Sequence, residues 1–277
     1  MYFGFRNLSV NYGKKEVLRA LNVDIPRGKV VTVIGQNGCG KSTLLKTVSK
    51  AVMPKRGEVI FCDKKLGEYA PKRLAQQIAY LSQVHESPPD IDVRTLVSYG
   101  RYPYSKFGRG MTRPDAEIID RALALTGLTD LQHRILSTLS GGERQRAWIA
   151  MTIAQEPEIL ILDEPTTYLD LTGQREFYAM IKELKKQGKT IILILHDLSQ
   201  AVRISDTLVV MNRAGSRSLD EAAHAGTDSD VKATDFPGSI AMVGTPQECL
   251  QSHVIEDVFQ TSWKRFTDED GEYYFFE

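Results

Sequence analysis

No apolar run in this 277-residue chain approaches the roughly 20 residues that a membrane-spanning helix needs. The longest runs, 191–195 (IILIL), 159–162 (ILIL) and 30–34 (VVTVI), are of strand length. The opening residues MYFGFRNLSVNYG lack a sustained apolar stretch and a small-residue cleavage site, so no secretory leader is expected. Cysteine is scarce. Cys39, Cys62 and Cys249 form no spaced framework, and a reducing cytoplasm is the expectation. An excess of one charge is also missing, with 35 Lys+Arg against 35 Asp+Glu. A net charge of zero excludes a domain that grips nucleic acid mainly through a basic field, while leaving room for a local patch. What is present is ordinary for a globular protein: 42% hydrophobic and 25% charged residues, in a chain long enough to bury a substantial core as one large domain or two small ones.

There is no internal repeat, and the three apolar runs organise the chain. After residues 30–34 comes a glycine-rich stretch, then Leu44, Leu45, Val48 and Val52 at helical spacing, closed by Pro54. After 159–162 comes DEPTTYLD, then Phe177, Met180, Ile181 and Leu184 on one helical face, with Gly188 as the expected stop. After 191–195 comes HDLSQAVRIS and a further short strand at 207–211. Strands that are apolar throughout and alternate with helices predict a parallel sheet covered on both faces, an α/β core. Between residues 87 and 156 the pattern turns helical (Ile118, Ile119, Ala122, Leu123; Ala147, Ala150, Met151, Ala154), which predicts a helical insertion into that core. Residues 214–239 are rich in Ala, Gly, Ser, Thr and Asp and read as a solvated loop. Within residues 240–277, two aromatic or apolar runs flank DEDG and predict a β-hairpin turning at Asp270-Gly271.

Gly35-Gln36-Asn37-Gly38-Cys39-Gly40-Lys41-Ser42-Thr43 fits G-x-x-x-x-G-K-[ST] between a strand and a helix. The glycines let the backbone wrap so that successive N–H groups point inward, and the helix beginning near Lys41 adds its positive dipole end. Such a loop cradles the phosphates of a nucleoside triphosphate such as ATP. Lys41 would bridge the β- and γ-phosphates, and Ser42 would place its hydroxyl on Mg²⁺. Cys39 inside the loop reads first as a small residue whose side chain points away. If accessible, its thiol would have a lowered pKa beside the electropositive nest, and alkylation would then inhibit nucleotide binding.

Residues 159–162 end in Asp163-Glu164-Pro165. An acid at the carboxyl end of a buried strand can anchor a Mg²⁺ water shell, the role that fits Asp163. Glu164, one residue on, would polarise the attacking water, and a positioned general base is worth about 10²–10⁴-fold in rate. Leu139-Ser140-Gly141-Gly142-Glu143-Arg144-Gln145-Arg146 contains a capping box, Ser140 with Glu143 three residues later. A cap needs only those two residues. The adjacent Gly141 and Gly142 expose backbone N–H groups at a helix N-terminus, a second anion receptor in the same chain.

A phosphate loop, LSGGERQR, ILILDEPT and a lone histidine after the next strand, in that order, resemble the ATP-binding subunit of an ATP-binding cassette (ABC) transporter, over most of the chain. The resemblance implies a single ABC ATPase domain over residues 1–277. Its fold would be that of a P-loop NTPase: a RecA-like parallel sheet core, an N-terminal antiparallel β subdomain and an inserted helical subdomain. It also implies a head-to-tail dimer in which each ATP lies between one copy's phosphate loop and the other's signature. In that scheme Tyr12 stacks on adenine, an interaction on the scale of about 1–3 kcal/mol. Gln83, ending YLSQ, touches Mg²⁺ and the attacking water and senses the membrane partner. Ser140, Gly141 and Gly142 hold the partner's γ-phosphate, Asp170 communicates across the dimer, and His196 contacts γ-phosphate. Two-fold symmetry completes both sites at once, and bound ATP favours the closed dimer until hydrolysis removes the bridge.

DVRTLVSYGRYPY (92–104), IAQEPEILILDEPTTYLDLTGQ (153–174) and HDLSQAVRISD (196–206) are similar to the branch that imports ferric siderophores, haem and vitamin B12. For GRYPY the plainer reading is an exposed aromatic turn. The implied partners are transmembrane permease subunits and, indirectly, a substrate-binding protein. The implied location is the cytoplasmic face of the inner or plasma membrane, as a peripheral protein. In place of the family's short turn, about two dozen extra residues intervene at 214–239; a tolerated surface loop is the first reading, since long loop insertions cost little, and a regulatory element the second. A soluble ABC ATPase acting on ribosomes or DNA is the alternative class. It is disfavoured by the single cassette, the absence of a long coiled-coil insertion and the zero net charge. An importer of another substrate is a further alternative. An inactive nucleotide-binding module is disfavoured by the joint presence of Lys41, Asp163, Glu164 and His196.

Overall fold

The computed structural model describes residues 1–84, 90–105, 110–213, 237–268 and 271–277. The chain divides into two compact units, residues 1–68 with 194–277 and residues 69–193. Most of the 214–239 stretch (214–236), and Asp270 of the expected hairpin turn, lie outside the described residues.

In the first unit, β1 (Phe3–Tyr12) pairs antiparallel with β2 (Lys15–Ile25) and β4 (Arg56–Phe61). Its inward residues are Phe3 and Phe5, then Leu8 and Val10, a change of phase that strict alternation forbids. A bulge supplies the extra residue between Phe5 and Leu8. Asn7 sits there in the left-handed region at φ 47°, its N–H bonded to Asn22 Oδ1 at 3.0 Å. β3 (Val30–Gly35) is buried along its whole length and runs parallel to β9 (Thr207–Arg213). β9 pairs antiparallel with β10 (Gly238–Gly244). With the short β5 (Lys64–Lys65), the strand order is β5-β4-β1-β2-β10-β9-β3.

α1 (Lys41–Val48) follows β3 and buries Leu44, Leu45 and Val48. It stops earlier than the helical spacing suggested, and Val52 lies beyond it. Lys50 turns left-handed at φ 59°, and the Val52 N–H reaches back to the Lys46 carbonyl. At the C-terminus β11 (Trp263–Asp268) and β12 (Gly271–Phe276) pair antiparallel, with the Trp263 and Tyr274 rings 5.7 Å apart. Arg203, on α7 (Leu198–Ile204), lies over the Tyr273 ring.

In the second unit the short α2 (Pro71–Ala75) precedes β6, and the buried strands β6 (Ile78–Leu81), β7 (Ile159–Asp163) and β8 (Thr190–Ile194) lie in the order β8-β7-β6. β6 and β7 are parallel, with Leu81 opposite Leu162. Between them in sequence, α3 (Val93–Ser98), α4 (Arg113–Leu125) and α5 (Gly141–Ala154) share an apolar cluster that includes Leu96, Ile119, Leu123, Leu136, Ala147 and Ala150. α4 begins with a complete capping box, Thr112 with Asp115. α6 (Leu171–Lys186) buries Phe177, Met180, Ile181 and Leu184, and Gly188 follows it at φ 81°.

GRYPY is more than an exposed aromatic turn. Arg101 is buried, donates Nε to Asp115 Oδ1 at 2.9 Å and Nη1 to the Ala154 carbonyl at 2.8 Å, and lies over the Tyr104 ring. Tyr99 and Tyr102 remain exposed. Among the described residues no helix is long and apolar enough to cross a membrane.

Candidate functional site

In the first unit, the segment between β3 and α1 is curled around the side chain of its own lysine. Lys41, the first residue of α1, is 6% exposed, and its Nζ donates to the carbonyls of Gly35 at 2.7 Å and Gln36 at 3.2 Å. An ammonium buried this far must find acceptors, and the two carbonyls that satisfy it define the bend of the loop. Gly40 caps the helix from the left-handed region at φ 99°. Asn37 and Gly38 are exposed at the loop's apex, and Ser42 and Thr43 are half-buried on the first turn of α1.

Cys39 is fully buried, and its N–H closes a turn onto the Gln36 carbonyl at 3.3 Å. Burial pushes the thiol's pKa above its ordinary value, outweighing the opposing influence of Lys41 and Arg213. The thiol is therefore neither accessible nor acidified, which corrects the reading of a reactive cysteine in an electropositive nest.

Two anchors of this loop are distant in sequence. Gln36 Nε2 donates to the Val258 carbonyl at 2.7 Å, and Arg213 Nη2 donates to the Asn37 carbonyl at 2.8 Å. Tyr12, half-exposed, ends β1 opposite Lys15. His196 is exposed just after β8, next to Asp197, which caps α7 by accepting from the Gln200 N–H.

In the second unit, the parallel register of β6 and β7 brings together residues 81 apart in sequence: Gln83 Nε2 donates to Glu164 Oε2 at 2.5 Å. Asp163, the last residue of β7, is 1% exposed, and Tyr80 Oη donates to its Oδ2 at 3.4 Å. Glu164 stands at φ 53°, a left-handed conformation that is costly without glycine and turns its carboxylate out of the strand's direction.

Ser140 caps α5. Its Oγ accepts from the Glu143 N–H at 3.2 Å, and Glu143 Oε2 accepts from the Ser140 N–H at 2.7 Å. The Ser140 N–H holds the Glu143 carboxyl below the usual glutamate range. Ser140 and Gly141 are exposed and Gly142 is half-buried. Asp170 caps α6 by accepting from the Gly173 N–H at 2.8 Å. Its neighbour Tyr168, which the motifs did not single out, packs on the signature, with its carbonyl 3.2 Å from where a Gly142 Cβ would sit. Thr167, Tyr168 and Leu169, the three residues before Asp170, carried no sign of that contact in sequence.

Each unit thus holds a cluster of its own. One is a phosphate-sized loop around an ammonium. The other unit holds an amide–carboxylate pair next to a buried aspartate, and also a helix N-terminus opened by glycines. The first suits an anion with several phosphate oxygens, and the second contains a carboxylate oriented by an amide, the kind of group that can polarise a water. In the first unit Ser42 offers a hydroxyl, and in the second Asp163 and Gln83 offer a carboxylate and an amide, hard oxygen donors of the kind Mg²⁺ selects.

A family model described as ABC transporter matches residues 18–167. The iron(3+)-hydroxamate import ATP-binding protein FhuC of Bacillus subtilis (strain 168) is 38% identical over 263 residues, covering 94% of this chain and 88% of that protein. The ferric enterobactin transport ATP-binding protein FepC of Escherichia coli (strain K12) is 38% identical over 253 residues, covering 91% and 84%. The achromobactin transport ATP-binding protein CbrD of Dickeya dadantii (strain 3937) is 43% identical over 225 residues, covering 78% and 84%. Among solved structures, cbiO1 from Clostridium perfringens, part of the complex cbiONQ, superposes with a TM-score of 0.69 at 27% identity, covering 93% of this chain and 94% of that one. The dimeric cassette MJ0796, at 21% identity and a TM-score of 0.70, covers 88% and 98% and shares the fold.

Proposed function

The chain belongs to the ABC transporter family as an ATP-binding subunit whose ATP hydrolysis is coupled to transport, and from that premise we propose that it drives the import of an iron–siderophore, with haem and vitamin B12 as the related cargoes of the same branch. The support for the cargo is chemical agreement among relatives. Those named above handle ferric hydroxamate, ferric enterobactin and achromobactin, and each aligns over three quarters or more of this chain.

The observation that carries the hydrolytic reading is the Gln83–Glu164 contact. An amide donating to the carboxylate holds it in one orientation, in which it can take a proton from water. Glu164 is accordingly the general base. Lys41 releases the loop carbonyls in exchange for the β- and γ-phosphate oxygens, and the Cys39 N–H likewise leaves the Gln36 carbonyl, while the N–H groups of Gly38 and Gly40 and the first turn of α1, with Ser42 and Thr43, face the phosphates. Tyr12 stacks on adenine, and His196 contacts the γ-phosphate. Asp163, Ser42 and Gln83 would hold Mg²⁺, which neutralises charge on the β- and γ-oxygens when bound.

Ser140, Gly141 and Gly142 serve the ATP of a second copy, in a head-to-tail dimer where Asp170 lies at the junction. Permease subunits dock the pair at the cytoplasmic face of the membrane, and a substrate-binding protein delivers the cargo to them.

Glu164→Gln tests the catalytic part. The variant is expected to bind ATP normally, lose hydrolysis by about 10²-fold or more and accumulate as ATP-bound dimer. Wild-type turnover would remove Glu164 from the mechanism. Transport assays on the copurified permease complex, with iron–siderophore, haem and cobalamin in parallel, test the cargo. Uptake of cobalamin alone would overturn the iron assignment.

A further inference from the structure

β9 ends and β10 begins beside the phosphate loop, and the residues at those two ends both touch it. Arg213, the last residue of β9, donates Nη2 to the Asn37 carbonyl across a separation of 176 residues. The guanidinium is fitted into the loop's shape. Gly38 has φ +76°, and a Cβ there would lie 2.4 Å from Arg213 Nη2, so the cation fills the space a side chain would take. Gly238, opposite Arg213 in the β9–β10 ladder, packs its backbone on the same loop: a Cβ at 238 would come within 1.9 Å of the Cys39 carbonyl. The charge of Arg213 is felt inside the loop, where it favours the Cys39 thiolate against the larger effect of burial.

The chemistry of that single bond reaches the phosphates. The Asn37 carbonyl and the Gly38 N–H belong to one planar trans peptide and point in opposite directions. A bond that orients the carbonyl toward Arg213 therefore orients the Gly38 N–H the other way. It also draws off the partial negative charge of an oxygen that would repel phosphate, and leaves a full positive charge at the loop's apex.

We propose that Arg213 is a positioning residue of the nucleotide site, setting the Asn37–Gly38 peptide and with it the loop's affinity for ATP. The inference rests on the reading of residues 35–43 as the phosphate loop. The test is equilibrium ATP binding and steady-state hydrolysis by the full chain, comparing wild type with Arg213→Ala and Lys41→Ala, alongside the unfolding midpoint without nucleotide. Arg213→Ala is expected to raise Kd and KM for ATP about tenfold, with kcat within about twofold and the nucleotide-free midpoint unchanged; tenfold corresponds to about 1.4 kcal/mol.

Unchanged ATP affinity in Arg213→Ala, with binding lost in Lys41→Ala, would overturn the role of Arg213 and leave the loop reading standing. Unchanged affinity in Lys41→Ala would instead overturn the loop reading itself. A lowered midpoint with kcat falling and KM unchanged would make Arg213 a stability residue and also reject the proposal. Should Arg213→Ala not fold, Arg213→Gln, which keeps the stem and an N–H donor but not the charge, decides it: a raised KM supports the role and an unchanged KM rejects it.

Discussion

The two proposed anion receptors of this chain are built in opposite ways. The loop at 35–43 is closed on itself, with Lys41 buried against the carbonyls of Gly35 and Gln36 and with Gln36 and Asn37 tied to Val258 and Arg213. The receptor at 140–142 is an open helix end. Its first two residues are exposed, and its reciprocal ties among the described residues are those of a local capping box. A loop wrapped around its own cation can take a phosphate by exchanging carbonyl oxygens for phosphate oxygens. An exposed helix terminus supplies a few N–H donors and a partial charge, and it gains strength only when another surface excludes water around the ligand. The contrast fits a chain that holds one half of its receptor firmly and offers the other outward.

The largest effect that would break the comparison is at Lys41. Lys41→Ala removes hydrogen bonds made by a charged group, worth about 1.5–3 kcal/mol each, so ATP affinity of the isolated chain is expected to fall by roughly tenfold to a hundredfold or more. Isothermal titration of the isolated chain measures it.

Ser140→Ala is expected to leave that affinity intact while reducing ATP-dependent dimer and hydrolysis. It also removes an N-cap worth about 0.5–2 kcal/mol, lowering the unfolding midpoint by a few degrees. Equal loss of ATP affinity in the isolated Ser140→Ala chain would erase the distinction between the receptors. The same variant carries a pH signature. Glu143 is held below its ordinary pKa in the folded chain. Its contribution is therefore present above the unfolded glutamate range and disappears as pH falls through the lowered value. Ser140→Ala keeps the N–H that holds Glu143 most strongly and loses the hydroxyl that adds to it. The stability gap between wild type and variant should therefore narrow on acidification by the hydroxyl's share alone, as denaturant titrations at neutral and acid pH would show.

The smallest effect concerns the thiols. Cys62 is exposed, Cys39 is buried with a raised pKa, and the Cys249 pKa is pushed up to about 11 by burial. Brief alkylation of the folded chain should label Cys62 alone and leave ATP binding unchanged, with mass spectrometry locating the adduct. Rapid labelling of Cys39 would show that the loop opens far more readily than its packing implies.

Much of this was legible beforehand because the relevant chemistry is local. A glycine-rich turn between an apolar strand and a helix, a serine three residues before a glutamate, and an acid at a strand's end each announce themselves within a few residues. The α1 boundary was misread because Lys50, an ordinary residue, adopts the left-handed conformation that ends the helix. For Cys39 the choice between a small residue pointing away and a reactive thiol turned on burial, which no neighbouring residue in sequence reports and which favours the first. The plainer alternative for GRYPY, an aromatic turn, fails on Arg101, whose partners, Asp115 and the Ala154 carbonyl, lie 14 and 53 residues away.

What the amino-acid order determined alone was the list of parts: one phosphate loop, one glycine-opened helix end, and a strand closing in Asp163-Glu164. It determined them because helix caps, tight turns and buried strands are set by spacing along the chain. Tertiary structure decided which parts meet. The parallel register of β6 and β7 sets Gln83 against Glu164, and the return of the chain through β9 places Arg213 on Asn37. Such contacts are fixed by how strands align in a sheet, and the residues that make them carry no mark of one another in sequence.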